Sequence, residues 1–383
     1  MKRILQFLSY VLVAALASAV TCIFCVGTGG GNAKLDRLRS IIDEYYIGEV
    51  DHAALDDAAA AAMVQATGDR WSYYIPASQL QSHQDSQANS YVGVGITITV
   101  REDGQGFDIV QVAKGGGAEA AGIQPGDILT HVEGISVVAE GLDGASERIV
   151  GDPGTTVEVT VLRQDQSLDF TLERRRIQVE VVSWQMLEGQ IGYIKIANFH
   201  SRCASESIKA IEELRGQGAK ALIFDVRNNG GGYKDEMVRL LDYLLPEGPL
   251  FRSEDYSGAV EVDESDEAFL DMPMAVLVNA NSYSAAEFFA AALWEYEAAL
   301  VAGQQTTGKG HFQVTFDLKD GSAVNLSIGK YTTPKGVNLD GVGLTPDIEI
   351  AVTEEQEMKI YYGTLDPAED PQLQAAADAL RNN

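Results

Sequence analysis

Two apolar runs, Ala221–Val226, broken only by Asp225, and Met274–Val278, constrain this chain more than any other feature. A strand that is apolar on both sides has to be covered on both sides, which is the situation of a central strand in a parallel sheet. Each run is followed by a segment of helical period. Tyr233–Leu245 follows the first. Ser284–Glu297 follows the second and gathers Phe288, Phe289, Ala292, Leu293 and Tyr296 on one broad face. Ile191–Ile196 and Leu300-Val301 add strands, and Ser205–Arg215 adds a helix with Ile208, Ile211 and Leu214 aligned. The alternation predicts an α/β layer architecture over 175–365.

Upstream the period changes. From Tyr91, Val94, Ile96, Ile98 and Val100 alternate, a strand pattern, and Phe107–Val112 repeats it. Ala118–Leu129 reads as a short helix, a glycine stop, a Pro125-Gly126 turn and a strand, while Val157–Leu162 and Ser167–Leu172 form a hairpin around Gln164-Asp165. Residues 91–174 are therefore expected to be a small β-rich module. Residues 31–90 read as helical, with Leu35, Leu38, Ile42, Tyr45 and Tyr46 at helical spacing and a break at Gly68-Asp69 before Trp71-Ser72-Tyr73-Tyr74. Residues 366–383 read as a polar tail or short helix.

The first 30 residues hold Lys2 and Arg3 and then the uncharged run Ile4–Val26, long enough to span a bilayer. Ala17-Ser18-Ala19 also fits a signal-peptide cleavage site. The expectation is an uncleaved single-pass anchor in the cell membrane, with the rest of the chain on the extracytoplasmic side. A net charge of −28 repels a phosphate backbone, so nucleic acid is not the expected partner. Cys22 and Cys25 lie in the apolar run and Cys203 stands alone beyond it, so no disulfide framework is implied. Neither a metal-ligand cluster nor a phosphate loop is present, and no metal or cofactor is expected.

Chemistry concentrates in polar or glycine-rich loops of the last domain. These are Asp225–Gly232, Asn279–Glu287, Thr306–Gln313, and Tyr331–Gly336 leading to Gly343–Asp347. In open α/β sheets ligands collect beyond the carboxyl ends of the strands. Ser284 opens a helix, a position that suits a simple N-cap and equally a nucleophile beside free backbone N–H groups. The glycines at 230–232 allow a substrate to approach the backbone closely. A serine nucleophile needs a base. Lys309, between Gly308 and Gly310, can serve if burial lowers its pKa, though a solvated loop lysine is the plainer reading. Gln313 could orient the amine. His200 and His311 are the alternative bases.

Together these segments resemble the carboxyl-terminal processing peptidases of family S41, serine–lysine endopeptidases that carry a PDZ domain. The motifs are Asn281–Glu287 around the serine, Thr306–Gln313 around the lysine, the Asp225/Arg227/Asn229/Gly231/Gly232 loop, Tyr331–Pro334 and Gly343–Asp347. The resemblance implies a crotonase-like (ClpP-like) α/β protease core with an inserted PDZ domain and an N-terminal helical segment. It implies Ser284 as nucleophile, Lys309 as base, Gln313 as orienter, Gly231 and Ala285 amides as oxyanion hole, and Asp225, Arg227 and Glu287 in support. Two departures stand out: Gly230 where the family often has proline, and Tyr283 where it has a small residue. Ala121–Leu129 resembles a PDZ signature, and Val92, Gly93, Val94, Gly95 and Ile96 its carboxylate-binding loop. The implied partners are protein or peptide substrates held by their C-termini, and the membrane through the anchor; a homo-oligomer is left open. The rival readings are an inactive PDZ-type scaffold and a Ser–His hydrolase.

Overall fold

The computed structural model describes residues 33–101 and 103–382. The chain divides after Met63 into two compact units. The described part of the first holds helix Ala33–Tyr45 and the opening turns of helix His52–Gln65, with Arg39 paired to Asp56; neither helix buries a residue. The apolar run at 4–26, read as an anchor, lies outside the described residues. Among the described residues no helix is long and apolar enough to cross a membrane. The expected single-pass placement, the membrane as partner and the extracytoplasmic side are corrected accordingly and are withdrawn.

The second unit is built on a sheet of six strands in the order Val182–Leu187, Ile191–Ile196, Ala221–Asp225, Met274–Val278, Ala299–Gly303, Ile348–Glu349. The first pair is antiparallel and all others are parallel. The two apolar runs are the central strands, as their two-sided hydrophobicity requires. Alternate residues serve opposite faces. Leu222, Phe224, Val276 and Val278 join helices Cys203–Gly216, Lys234–Leu244 and Ala285–Glu295 in one core. Ile223, Ala275 and Leu277 meet Leu373, Ala376 and Ala377 in another. Of the two readings of 366–383, polar tail or short helix, those last three residues decide for the helix. Pro371–Asn382 is a helix whose apolar positions recur every three to four residues and cover the second face of the sheet.

A second sheet of five strands contains the hairpin His311–Asp317/Ala323–Thr332, the hairpin Gly248–Asp255/Val260–Ser265, and Tyr73–Ile75. The stretch 31–90 is thus not wholly helical: Tyr73 pairs with Asn325 and Ile75 with Ala323. Aromatic residues suit such a half-buried strand.

Strands Ile96–Val100, Phe107–Val112, Ile128–Val132, Thr156–Arg163 and Gln166–Glu173 form, in that order, the sheet of the β-rich module. The hairpin turn falls where expected, with Gln164 (φ 50°) and Asp165 (φ 60°) both left-handed, as a tight hairpin turn requires. Helix Val137–Ile149, unread in the sequence, packs Val137, Ala145 and Ile149 into this core. Its glycines, Gly141 and Gly144, and its kink at Gly141 (φ 75°) obscure the helical period. Strand Ser90–Gly93 pairs with Arg175–Gln178, so the module begins and ends on one two-stranded ribbon.

Candidate active site

Three loops at the carboxyl ends of the parallel strands interlock. Ser282 Oγ donates to Val226 O (2.7 Å), Tyr283 N to Asn229 O (3.1 Å) and Thr307 N to Ser282 O (3.1 Å). The side-chain amide of Asn279 donates to Asn228 Oδ1 at 3.0 Å, and its own Oδ1 accepts from Asn228 N at 2.9 Å. This lattice holds Ser284 at φ 59°, ψ −128°, a conformation that L-residues seldom adopt. Such strain persists only where the surroundings over-determine it, and it places the hydroxyl at the head of helix Ala285–Glu295.

Glu287, one turn into that helix and fully buried, joins the serine to the lysine loop. Its Oε2 accepts from Ser284 N (3.1 Å) and Lys309 N (2.9 Å), and its Oε1 accepts from Gly308 N (2.6 Å) and the Thr306 hydroxyl. Burial raises the carboxyl's pKa, and the donors oppose that rise. All four partners are donors, so the carboxylate is the form that satisfies them. Thr306 Oγ1 in turn accepts from Leu344 N at 2.7 Å.

The Lys309 amine is mostly buried in a cavity of about 1060 Å³ that Ser284 and Gln313 also line. Its Nζ lies 4.7 Å from the Trp71 ring centroid and 5.9 Å from that of Tyr283. Burial lowers its pKa to about 8; Asp69 and Glu287 pull the value back up and Arg70 pushes it down. Among the described residues no hydrogen bond joins Nζ to Ser284 Oγ. Ser284 Oγ instead meets the Tyr331 hydroxyl, at 3.2 Å. Gln313 lines the cavity, but its amide donates to His311 O (3.1 Å) and Ser327 Oγ (2.9 Å) and does not reach the amine.

Gly231 has φ +87°, and a Cβ there would stand 2.7 Å from Ser284 Cβ and 2.9 Å from Ala285 N. Only glycine meets both demands. Its N–H is committed to Asn229 Oδ1 at 2.8 Å, so the expected Gly231 oxyanion donor is already engaged. The two departures from the family pattern meet each other: a Cβ on Gly230 would lie 2.6 Å from the Tyr283 hydroxyl. The missing side chain at 230 makes room for the extra ring at 283, which packs on Trp71 with centroids 5.3 Å apart.

Asp225 and Arg227 sit beneath the site rather than in it. Arg227 donates to Asp225 (2.9 and 2.6 Å), to Asp370 (3.1 and 2.7 Å) and to Gln372 Oε1 (2.9 Å), all buried, while Tyr193 Oη donates to Asp225 at 2.6 Å. Burial would raise the Asp225 pKa, but the guanidinium overrides it and holds the group ionised. Removing one partner from such a cluster costs about 3–5 kcal/mol. It ties the strand end below the glycine loop to the start of the last helix. His200 lines the cavity, its pKa lowered by burial, and packs against Tyr233; His311 pairs with Asp340 Oδ1 at 3.1 Å.

In the β-rich module, Val92 and Gly93 are held in the ribbon opposite Arg176 and Arg175. Val94 is a core residue, and its carbonyl and that of Gly95 accept from Ala118 N and Ala113 N, both at 2.8 Å. Ile96 opens a strand paired on one side only, by Phe107–Val112. Sequence reasoning missed Trp71 and gave Tyr331 no role of its own; the aromatic run after the Gly68-Asp69 break pointed to the first, and the Tyr331–Pro334 motif to the second.

A hydroxyl on a strained helix start and a lysine of lowered pKa line one cavity, and a β-rich module with an open edge accompanies them, an arrangement suited to a serine peptidase with a peptide-binding domain. Residues 190–350 match peptidase family S41 and residues 109–163 the PDZ domain. The chain is 31% identical over 335 residues to a CtpA-like serine protease of Staphylococcus aureus (strain N315), covering 86% of this chain and 67% of that protein. It is 30% identical over 372 residues to a CtpA-like serine protease of Staphylococcus saprophyticus, covering 93% and 75%. The solved structure of an S41 protease from Bacteroides fragilis shares the fold at TM-score 0.54 and 19% identity, over 76% of this chain and 83% of that one. The chain belongs to peptidase family S41, as a serine protease of the CtpA-like type.

Proposed function

We propose that this protease cuts protein substrates with Ser284 as nucleophile and Lys309 as general base, and that its PDZ module holds their C-termini. The observation that carries the reading is the shared Glu287 oxygen: one carboxylate holds the backbone of two residues that line one cavity. A lysine lowered to about 8 supplies a neutral amine near physiological pH. Ser284 Oγ passes its proton to Nζ and attacks the peptide carbonyl. The oxyanion would be met by Ala285 N–H at the helix start and by an amide of the glycine loop. Gln313 would orient the amine through its carbonyl oxygen, its NH2 group being anchored. Substrate capture would use the unpaired edge of Ile96–Val100 by strand addition.

The test is cleavage of an unfolded protein ending in apolar residues, with and without C-terminal amidation. Ser284→Ala and Lys309→Ala should each abolish cleavage, and amidation should raise KM. Full cleavage by either variant refutes the assignment. His200→Ala or His311→Ala abolishing turnover while Lys309→Ala does not would move the base to histidine.

A further inference from the structure

We propose that Tyr331 is a third catalytic residue, whose hydroxyl donates a hydrogen bond to Ser284 Oγ and stabilises the charge that forms on it in both halves of the reaction. The inference rests on the serine–lysine reading above. Tyr331 Oη is 3.2 Å from Ser284 Oγ, and no other side chain bonds that oxygen among the described residues. The ring is 4% exposed and stacks edge-on against Phe288, with centroids 4.3 Å apart, and lies 5.3 Å from Phe251. It cannot swing away without opening the core. Its backbone is fastened to the lysine loop: Tyr331 N donates to Gly310 O at 3.1 Å, and Asn338 Nδ2 donates to Tyr331 O at 2.9 Å. One residue therefore touches the nucleophile with its side chain and the base turn with its main chain. Burial keeps the phenol protonated, hence a donor.

A donor on Oγ has two effects. It leaves the serine's own proton as the one to be delivered to Lys309 Nζ. It also favours negative charge on Oγ, which develops as the proton leaves and again when the acyl-enzyme is resolved. In acylation the Oγ–H proton goes to Nζ, the Oγ–C bond forms, and the C–N bond breaks as the ammonium returns the proton to the leaving amine. In deacylation water gives its proton to Nζ, the new C–O bond forms, and the C–Oγ bond breaks with Oγ taking that proton back. The Tyr331 proton stays on Tyr331 throughout.

Tyr331→Phe removes one oxygen and keeps the ring packing. Its kcat on a peptide substrate should fall roughly 100- to 1,000-fold with KM and melting temperature unchanged. With an activated ester, whose acylation is fast, the variant should accumulate a covalent acyl-enzyme visible by intact mass. Wild-type kcat, or a loss of kcat that only tracks a lowered melting temperature, overturns the proposal. Ser284→Ala and Lys309→Ala assayed in parallel separate the two claims. If both are dead and Tyr331→Phe is fully active, only the tyrosine's role fails; if either still cleaves, the serine–lysine reading itself fails.

Discussion

Replacing Glu287 by glutamine tests the carboxylate that links the two halves of the site. The native side chain accepts four hydrogen bonds, two on each oxygen. Glutamine keeps one acceptor and puts two N–H donors where the other stood. If the amide nitrogen takes the Oε2 place, it faces the Ser284 and Lys309 N–H groups. If it takes the Oε1 place, it faces Gly308 N–H, while the Thr306 hydroxyl can turn and accept. The second arrangement is cheaper and still leaves one buried backbone donor unsatisfied, at a cost of about 1–3 kcal/mol. Charge gives an independent readout. Glu287 raises the Lys309 pKa, so its neutralisation disfavours the ammonium and moves the amine's titration further below about 8. Chemical denaturation should therefore show a stability loss of about 1–3 kcal/mol. The alkaline-rising limb of kcat/KM should shift to lower pH, whatever happens to its height. Unchanged stability, or a limb displaced to higher pH, would refute the reasoning.

In the native enzyme the lowered lysine predicts that kcat/KM rises about tenfold per pH unit below about 8 and levels above it, because acidification protonates the amine and removes the proton acceptor; a pH profile flat from 6 to 9 contradicts a lysine base. Gly230→Ala should impair folding or turnover through its contact with the Tyr283 ring, and Tyr283→Ala should relieve it. The double variant should then outperform Gly230→Ala alone, a non-additivity expected of residues in direct contact, whereas strictly additive losses in the two single variants would show that the positions are independent.

Much of this protein was legible in one dimension. The parallel sheet announced itself through Ala221–Val226 and Met274–Val278, because two-sided burial leaves a continuous apolar run. The hairpin at Gln164-Asp165, the helix beginning after Ser284 and the short helix stopped by Gly122 followed from local period and turn chemistry, as did the placing of Ser284 and Lys309 in loops beyond the strands. Tertiary contact decided the rest. Pro371–Asn382 could be read as a tail or a short helix because its alanines and glutamines carry little hydrophobic signal, and its value as a cover appears only when Leu373, Ala376 and Ala377 meet the sheet. Glycine at 230 and tyrosine at 283 looked like separate anomalies until one filled the space left by the other. Arg227 finds Asp370 across 143 residues, and Tyr331 finds Ser284 across 47. Period and turn chemistry act over a few neighbours, so they determine elements and their order. The partner of a buried hydroxyl or guanidinium is chosen by which distant segments the packed layers bring within about 3 Å, and no pattern along the chain records that choice.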